Sequence, residues 1–246
     1  MKNHILSSML LASVSFFSVA NECEQLPSQQ DLSAALRSVV KPSGGQSNGG
    51  LDLNMWATIV DRSGIVCAIA MTGKNAGDQW PGSRVISAQK ANTANAFSLP
   101  KLALSSANLW TATQPGGSLF GLQHSNPVDT SVAYAGQAMD FGKEKDPMVG
   151  QRIGGVNVFG GGLALYHKSG NLIGAVGVSG DTSCADHNVA WKTRDALKLD
   201  YVPAGVSLTG DDNIIYVQTN GFAHVDCGNG ERRVSDLLPI DFPISK

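Results

Sequence analysis

Lys90 and Thr93 stand three residues apart in a stretch of small side chains. On a helix that spacing puts both on one face, so an ammonium and a hydroxyl there would hold a small anionic group where the chain approaches closely. The same pair also fits a plainer role, with Lys90 reaching along the surface to water and Thr93 bonding back to its own helix. Further on, Gly160-Gly161-Gly162 and then Gly174, Gly177 and Gly180 strip side chains from neighbouring segments. Either a planar ligand or another stretch of backbone can then come close. Neither set is a phosphate loop: no Lys-Ser/Thr pair follows the first, and no Gly-x-Gly-x-x-Gly opens a helix. Gly177-Val-Ser-Gly180 lacks the nucleophile-elbow spacing, so Ser179 is not read as a hydrolytic serine. Cys184-x-x-His187 and His224-x-x-Cys227 supply two thiols and two imidazoles, the donor set of a tetrahedral zinc site. Cys184 and Cys227 would equally form a disulfide.

The compartment weighs on that choice. Met1-Lys2-Asn3-His4 carries one firm positive charge, and the apolar run over 5–19 is too short to span a bilayer comfortably. It ends in Ser18-Val19-Ala20, small residues suited to cleavage after Ala20, so residues 1–20 read as a signal peptide and the mature chain as periplasmic or secreted. Ala20-Asn21-Glu22 before Cys23 does not match a lipid-anchor site. Outside the cytoplasm, the even set Cys23, Cys67, Cys184 and Cys227 favours two disulfides over zinc. Four cysteines allow three connectivities; position favours Cys23 with Cys67 and Cys184 with Cys227. No later segment is long and apolar enough to cross a membrane. A formal charge of -2, with few charged residues, leaves no basic stripe for a phosphate backbone, so the expected partner is a small molecule and not nucleic acid.

The elements that must position these residues follow from periodicity. Ser28 or Asp31 caps an apolar stripe of Leu32, Ala35, Leu36 and Val39, which predicts a helix ending before Pro42. Residues 53–60 and 65–71 are apolar and β-branched, and Asp61-x-x-Gly64 between them is turn chemistry, so they predict a hairpin. Ser83 is placed to cap a helix running to about Phe97, with a short second helix near 101–109. Residues 111–154, broken by Gly, Pro, Asn and Asp, read as a long insertion folding over the core. Residues 156–159, 163–166 and 172–178 predict three more strands, and 183–199 the last clear helix. Residues 214–218 suggest an extra edge strand, and the extension from about 200 is otherwise loop-like. Without a linker to divide it, 21–246 is expected to be one α+β domain with helices on both faces of a largely antiparallel sheet.

Several of these pieces occur together in one family. The Asp61-x-x-Gly64 hairpin, Lys90-Ala91-x-Thr93-Ala94-x-x-Phe97, Phe159-Gly-Gly-Gly162, the run from Ile173 to Gly180, and Asp186-x-x-Val189-Ala190 resemble the GlcG/HbpS-like haem-binding family over roughly 29–198. The resemblance implies a profilin-like fold, a five-stranded antiparallel sheet in a three-layer α/β/α arrangement, and homo-oligomers. In some branches it implies extracellular haem binding, with sequestration, redox sensing or peroxide chemistry; other branches sit beside small-acid metabolism. It points to Lys90, Thr93, Phe97 and Gly160 to Gly162 as the ligand side. Just before the glycine turn, where the haem-binding branch carries a contacting threonine, this chain has Gly155 or Val156. Haem iron needs an axial donor in an apolar slot. His124, beside Leu119, Phe120 and Leu122, and His187, in the closing motif, are the candidates, ahead of His167, His224, Tyr166 and Tyr134. An exported haem-binding protein is the leading expectation; a small-molecule or peroxide-handling enzyme, or an oligomeric interaction module, are the alternatives.

Overall fold

The computed structural model describes residues 22–218 and 221–246; the expected signal peptide lies outside them. Its α-helices are α1 (Gln29–Val39), α2 (Ser83–Phe97), the short α3 (Trp110–Thr113), α4 (Leu122–Ser125) and α5 (Thr130–Ala133), then α6 (Ser183–Ala196) and α7 (Glu231–Asp241). Four strands, β1 (Trp56–Asp61), β2 (Val66–Met71), β3 (Gly162–Tyr166) and β4 (Leu172–Ser179), form one antiparallel sheet in the order β2-β1-β4-β3.

Local chemistry explains the frame. Ser28 and Asp31 make a reciprocal capping box at the start of α1, satisfying two backbone donors that a helix end leaves open. In the β1–β2 turn, the N–H of Gly64 donates to Asp61 O at 3.0 Å, the N–H of Ile65 donates to Asp61 Oδ1 at 2.8 Å, and Gly64 takes φ 79°. The strands then alternate faces with period two. Ala57, Ile59, Ala68, Ala70, Leu163, Leu165, Val176 and Val178 pack with Leu32, Leu36 and Val39 of α1 and with Val189, Ala190 and Trp191 of α6. On the opposite face, Trp56, Val60, Ile69, Met71 and Ala175 meet Val85, Ala88, Ala91 and Ala94 of α2. Helices therefore cover both sides of the sheet.

The alanine face of α2 lets it lie almost on the strands. Gly162 and Gly177 are paired across β3 and β4 beneath it. A Cβ on Gly177 would stand 2.0 Å from Ser87 O, and one on Gly162 would stand 2.3 Å from Lys90 O. Any side chain at either position would push the helix off the sheet.

The expected fifth strand does not form. Residues 156–159 have side-chain partners in place of a neighbouring strand: the N–H groups of Asn157, Val158 and Phe159 donate to Thr93 Oγ1, Gln123 Oε1 and Asn157 Oδ1. Residues 214–218 are likewise irregular; the N–H of Ile214 meets Asn213 Oδ1 and His187 Nε2. The helix expected near 101–109 shrinks to a 3-10 turn, Ser106–Leu109. Conversely, the extension contains α7, whose Leu238 joins the α1/α6 side of the core. A bidentate pair between Arg194 and Asp212, at 2.7 and 2.8 Å, ties the extension to α6.

The insertion is built into the core. Ala133, Met148 and Ile153 are fully buried in the α2-side cluster. Residues 150 and 151 exchange backbone hydrogen bonds with Val66, covering the outer edge of β2, where unpaired strand groups would otherwise face solvent. Asp146 receives Nε of Arg84 at 2.9 Å and the N–H groups of Gly142 and Met148.

Candidate functional site

Lys90 and Thr93 do share one region of α2, but they point into protein. Lys90 Nζ donates to Asp186 Oδ2 at 2.6 Å, to Val178 O at 3.1 Å and to Ser179 Oγ at 3.4 Å. The Lys90 and Asp186 side chains are only 1% and 3% exposed. Asp186 Oδ1 accepts the N–H of Asp181. Burial pushes the Asp186 carboxyl up to about 6, with the Lys90 ammonium opposing the rise, and burial lowers Lys90 against the pull of Asp186. Thr93 Oγ1 donates to Gln89 O at 2.8 Å and accepts Asn157 N–H at 2.9 Å. The pair thus serves internal partners: Lys90 ties α2 to α6, and Thr93 pins the segment that precedes the glycine turn.

The glycine turn closes over that ion pair. A Cβ on Gly161 would meet Val178 O at 2.3 Å, Asp186 Cβ at 3.1 Å and Lys90 Cδ at 3.3 Å; one on Gly160 would meet Ser183 O at 2.3 Å. Of the two uses for Gly160, Gly161 and Gly162, close backbone packing is the one the geometry displays. Phe97 is half-buried against Leu104, Leu109, Val156 and Val158.

The histidines divide by exposure. His187 is fully buried, with Nε2 at 3.1 Å from both Asn213 Oδ1 and the N–H of Ile214. Burial holds its imidazole down to about 3, so it is neutral at ordinary pH. His224 is 1% exposed, and burial lowers it as well. His124 stands exposed on α4, and no ring hydrogen bond is made among the described residues. Its neighbours in sequence Phe120 and Leu119 are 61% and 37% exposed. His167, in the β3–β4 turn, pairs its Nδ1 with Ser169.

The two-Cys, two-His set does not assemble as a zinc site. Cys184 and Cys227 form a disulfide with Cα atoms 6.1 Å apart, as Cys23 and Cys67 do at 5.4 Å. Bonded sulfurs present no thiolates to a metal, and His187 faces Asn213 instead. Sequence reasoning missed two participants: Asp186 as the partner of Lys90, and Ser183 as the partner of His224. The family's closing motif names the aspartate; no local signal joins the serine to its histidine, 41 residues away.

No curated relative matches this sequence. Among solved structures, the PduOC:heme complex is similar at 22% identity and TM-score 0.46, over 68% of this chain and 89% of that one. The ORFY protein of Klebsiella pneumoniae is similar at 24% identity and TM-score 0.45, over 68% and 86%. HbpS is similar at 13% identity and TM-score 0.42, over 78% and 94%. The model of the family described as haem degrading protein HbpS-like matches residues 46–195, more than half of the chain and the span holding the sheet, the Lys90–Asp186 pair and the glycine turn, and the protein belongs to that family.

Proposed function

We propose that this protein is an exported haem-binding protein that sequesters or senses its ligand, with the insertion as its capture surface. The observation that carries this reading is the exposed imidazole of His124 on α4, on the same stretch as exposed Phe120 and Leu119. A haem needs an accessible axial donor, here an imidazole nitrogen, and apolar surface for its ring, and this stretch offers both. His187 does not fit the donor role, because its Nε2 is held by Asn213 and Ile214 in a fully buried position. Bound haem would supply iron redox chemistry; the chain would supply the donor from His124 and shield one ring face with Phe120.

Two disulfides suit an oxidising compartment, and no helix among the described residues is long and apolar enough to cross a membrane. Exposed Tyr134 and Met139 on the insertion, 67% each, offer apolar surface for homo-oligomers. The test is a hemin absorbance titration of the disulfide-intact mature protein and of His124→Ala and His187→Ala. A saturating Soret band at one equivalent, lost or shifted in His124→Ala alone, is the expected result. A broad, non-saturating band in the parent protein overturns the reading.

A further inference from the structure

Ser183 and His224 meet in a geometry that neither a structural tie nor the haem reading uses up. Ser183 Oγ lies 2.8 Å from His224 Nε2, and His224 Nδ1 lies 2.7 Å from the carbonyl oxygen of Val225. A carbonyl only accepts hydrogen bonds, so the Nδ1 atom carries the imidazole proton and Nε2 presents its lone pair. The hydroxyl proton of Ser183 is therefore donated to Nε2. Ser183 Oγ also accepts the N–H of Gly160 at 2.7 Å, which uses one of its two lone pairs and leaves the other for attack. This is a serine with a positioned base, and the base has its tautomer fixed by an acceptor on its far nitrogen, the order of roles found in nucleophilic hydrolases.

Further observations favour chemistry at this spot. Ser183 is the first residue of α6 and is part-exposed. The N–H of the next residue, Cys184, donates to the disulfide sulfur of Cys227 at 3.2 Å; sulfur is a weak acceptor, so this donor is only weakly engaged, at the position that supplies an oxyanion donor in other hydrolases. The Cys184–Cys227 bridge begins one residue after the serine and ends three after the histidine, so it holds the two in register. The surroundings are aromatic, with half-buried Trp110 5.5 Å from the His224 ring and Phe159, next to Gly160, 47% exposed. The nearby cation, Lys90, is already neutralised by Asp186.

We propose that Ser183 and His224 form a catalytic dyad that cleaves small, neutral aryl or short-chain carboxylic esters. His224 Nε2 takes the hydroxyl proton as Ser183 Oγ bonds to the ester carbonyl carbon. The tetrahedral intermediate then expels the alcohol, which takes its proton from His224. Water, deprotonated by the same nitrogen, releases the carboxylic acid and restores the serine.

The test treats the disulfide-intact mature chain with p-nitrophenyl acetate and, separately, with diisopropyl fluorophosphate, followed by intact mass and peptide mapping. One adduct on the Ser183 peptide is expected, together with ester turnover. Ser183→Ala should abolish both, and His224→Gln should slow both by about 100-fold or more, the usual contribution of a general base. Ser169→Ala, an exposed turn variant, should behave as the parent. Absence of the Ser183 adduct, or a Ser183→Ala protein that turns over ester at the parent rate, overturns the proposal. If His224→Gln fails to fold, Ser183→Ala decides alone. Hemin binding is read separately, so failure here leaves the haem reading standing, and the reverse holds.

Discussion

Lys90 on α2 and Asp186 on α6 meet at 2.6 Å although their helices lie on opposite faces of the sheet. They reach each other past the end of β4, where Lys90 also binds Val178 O, and the glycine turn lies directly over them. One buried ion pair thus joins both helical layers, the end of a strand and the turn. Burying two charges is costly, and their attraction repays the cost only while both are present. Lys90→Met should therefore lower unfolding free energy by about 3–5 kcal/mol, because Asp186 is left unpaired. The double variant Lys90→Met with Asp186→Leu should recover most of that loss. Urea melts of the three proteins measure it, and a double variant no better than the single one would mean that the pair's charge is not the issue.

The insertion makes a separate prediction through Asp146. Its carboxylate gathers Arg84 from α2 and two backbone N–H groups from its own loop, and the Arg84 guanidinium also stacks 3.7 Å over Phe141. Asp146→Ala leaves a buried guanidinium without its anion and frees the loop donors, a change worth about 3–5 kcal/mol in comparable pairs. The loss should appear first as local opening. Limited proteolysis with mass mapping is expected to cut within 134–150 well before the sheet, and hydrogen exchange should rise in the same window. Cleavage spread evenly along the chain would show that the insertion unfolds only with the whole domain.

Much of this frame was legible in the sequence for identifiable reasons. A helix cap at Ser28 or Asp31, the Asp61-to-Gly64 turn and the apolar, β-branched runs of the strands are local patterns; the structure forms the turn and the strands and makes Ser28 the cap. The disulfides followed from position and compartment. Residues 156–159 looked like a strand because strand periodicity reports side-chain burial and not which group satisfies the backbone; Thr93 and Gln123, distant in sequence, satisfy it here. Helix α7 was hidden by Pro239 inside it and by the glycines around Asn229 before it. The glycines were ambiguous by nature, since a flat ligand and an approaching helix make the same demand for a missing Cβ. The Lys90–Asp186 and Ser183–His224 pairs join positions 96 and 41 residues apart, and only tertiary packing brings them together.

His187 gives the protein a pH dependence of definite sign. Burial holds its folded-state value down to about 3, against an ordinary value near 6.5. Between those limits the unfolded chain binds the proton and the folded chain does not, so stability is full above about 6.5 and falls as the pH drops toward 3. The slope is about 1.4 kcal/mol per pH unit. Asp186 acts oppositely: raised to about 6 from 3.8, it takes up its proton first in the folded state, and acidification through that window favours folding. Comparing the parent with His187→Gln cancels the Asp186 contribution, because both proteins retain it. Glutamine keeps a polar side chain facing Asn213 and Ile214 but cannot titrate. The difference in unfolding free energy, followed by urea melts from pH 7.5 to pH 4, should shift steadily in favour of the variant below about pH 6.5. A difference that stays constant across that range would mean that His187 is protonated equally in both states, and so that its burial among Asn213, Ile214 and Trp191 does not desolvate it.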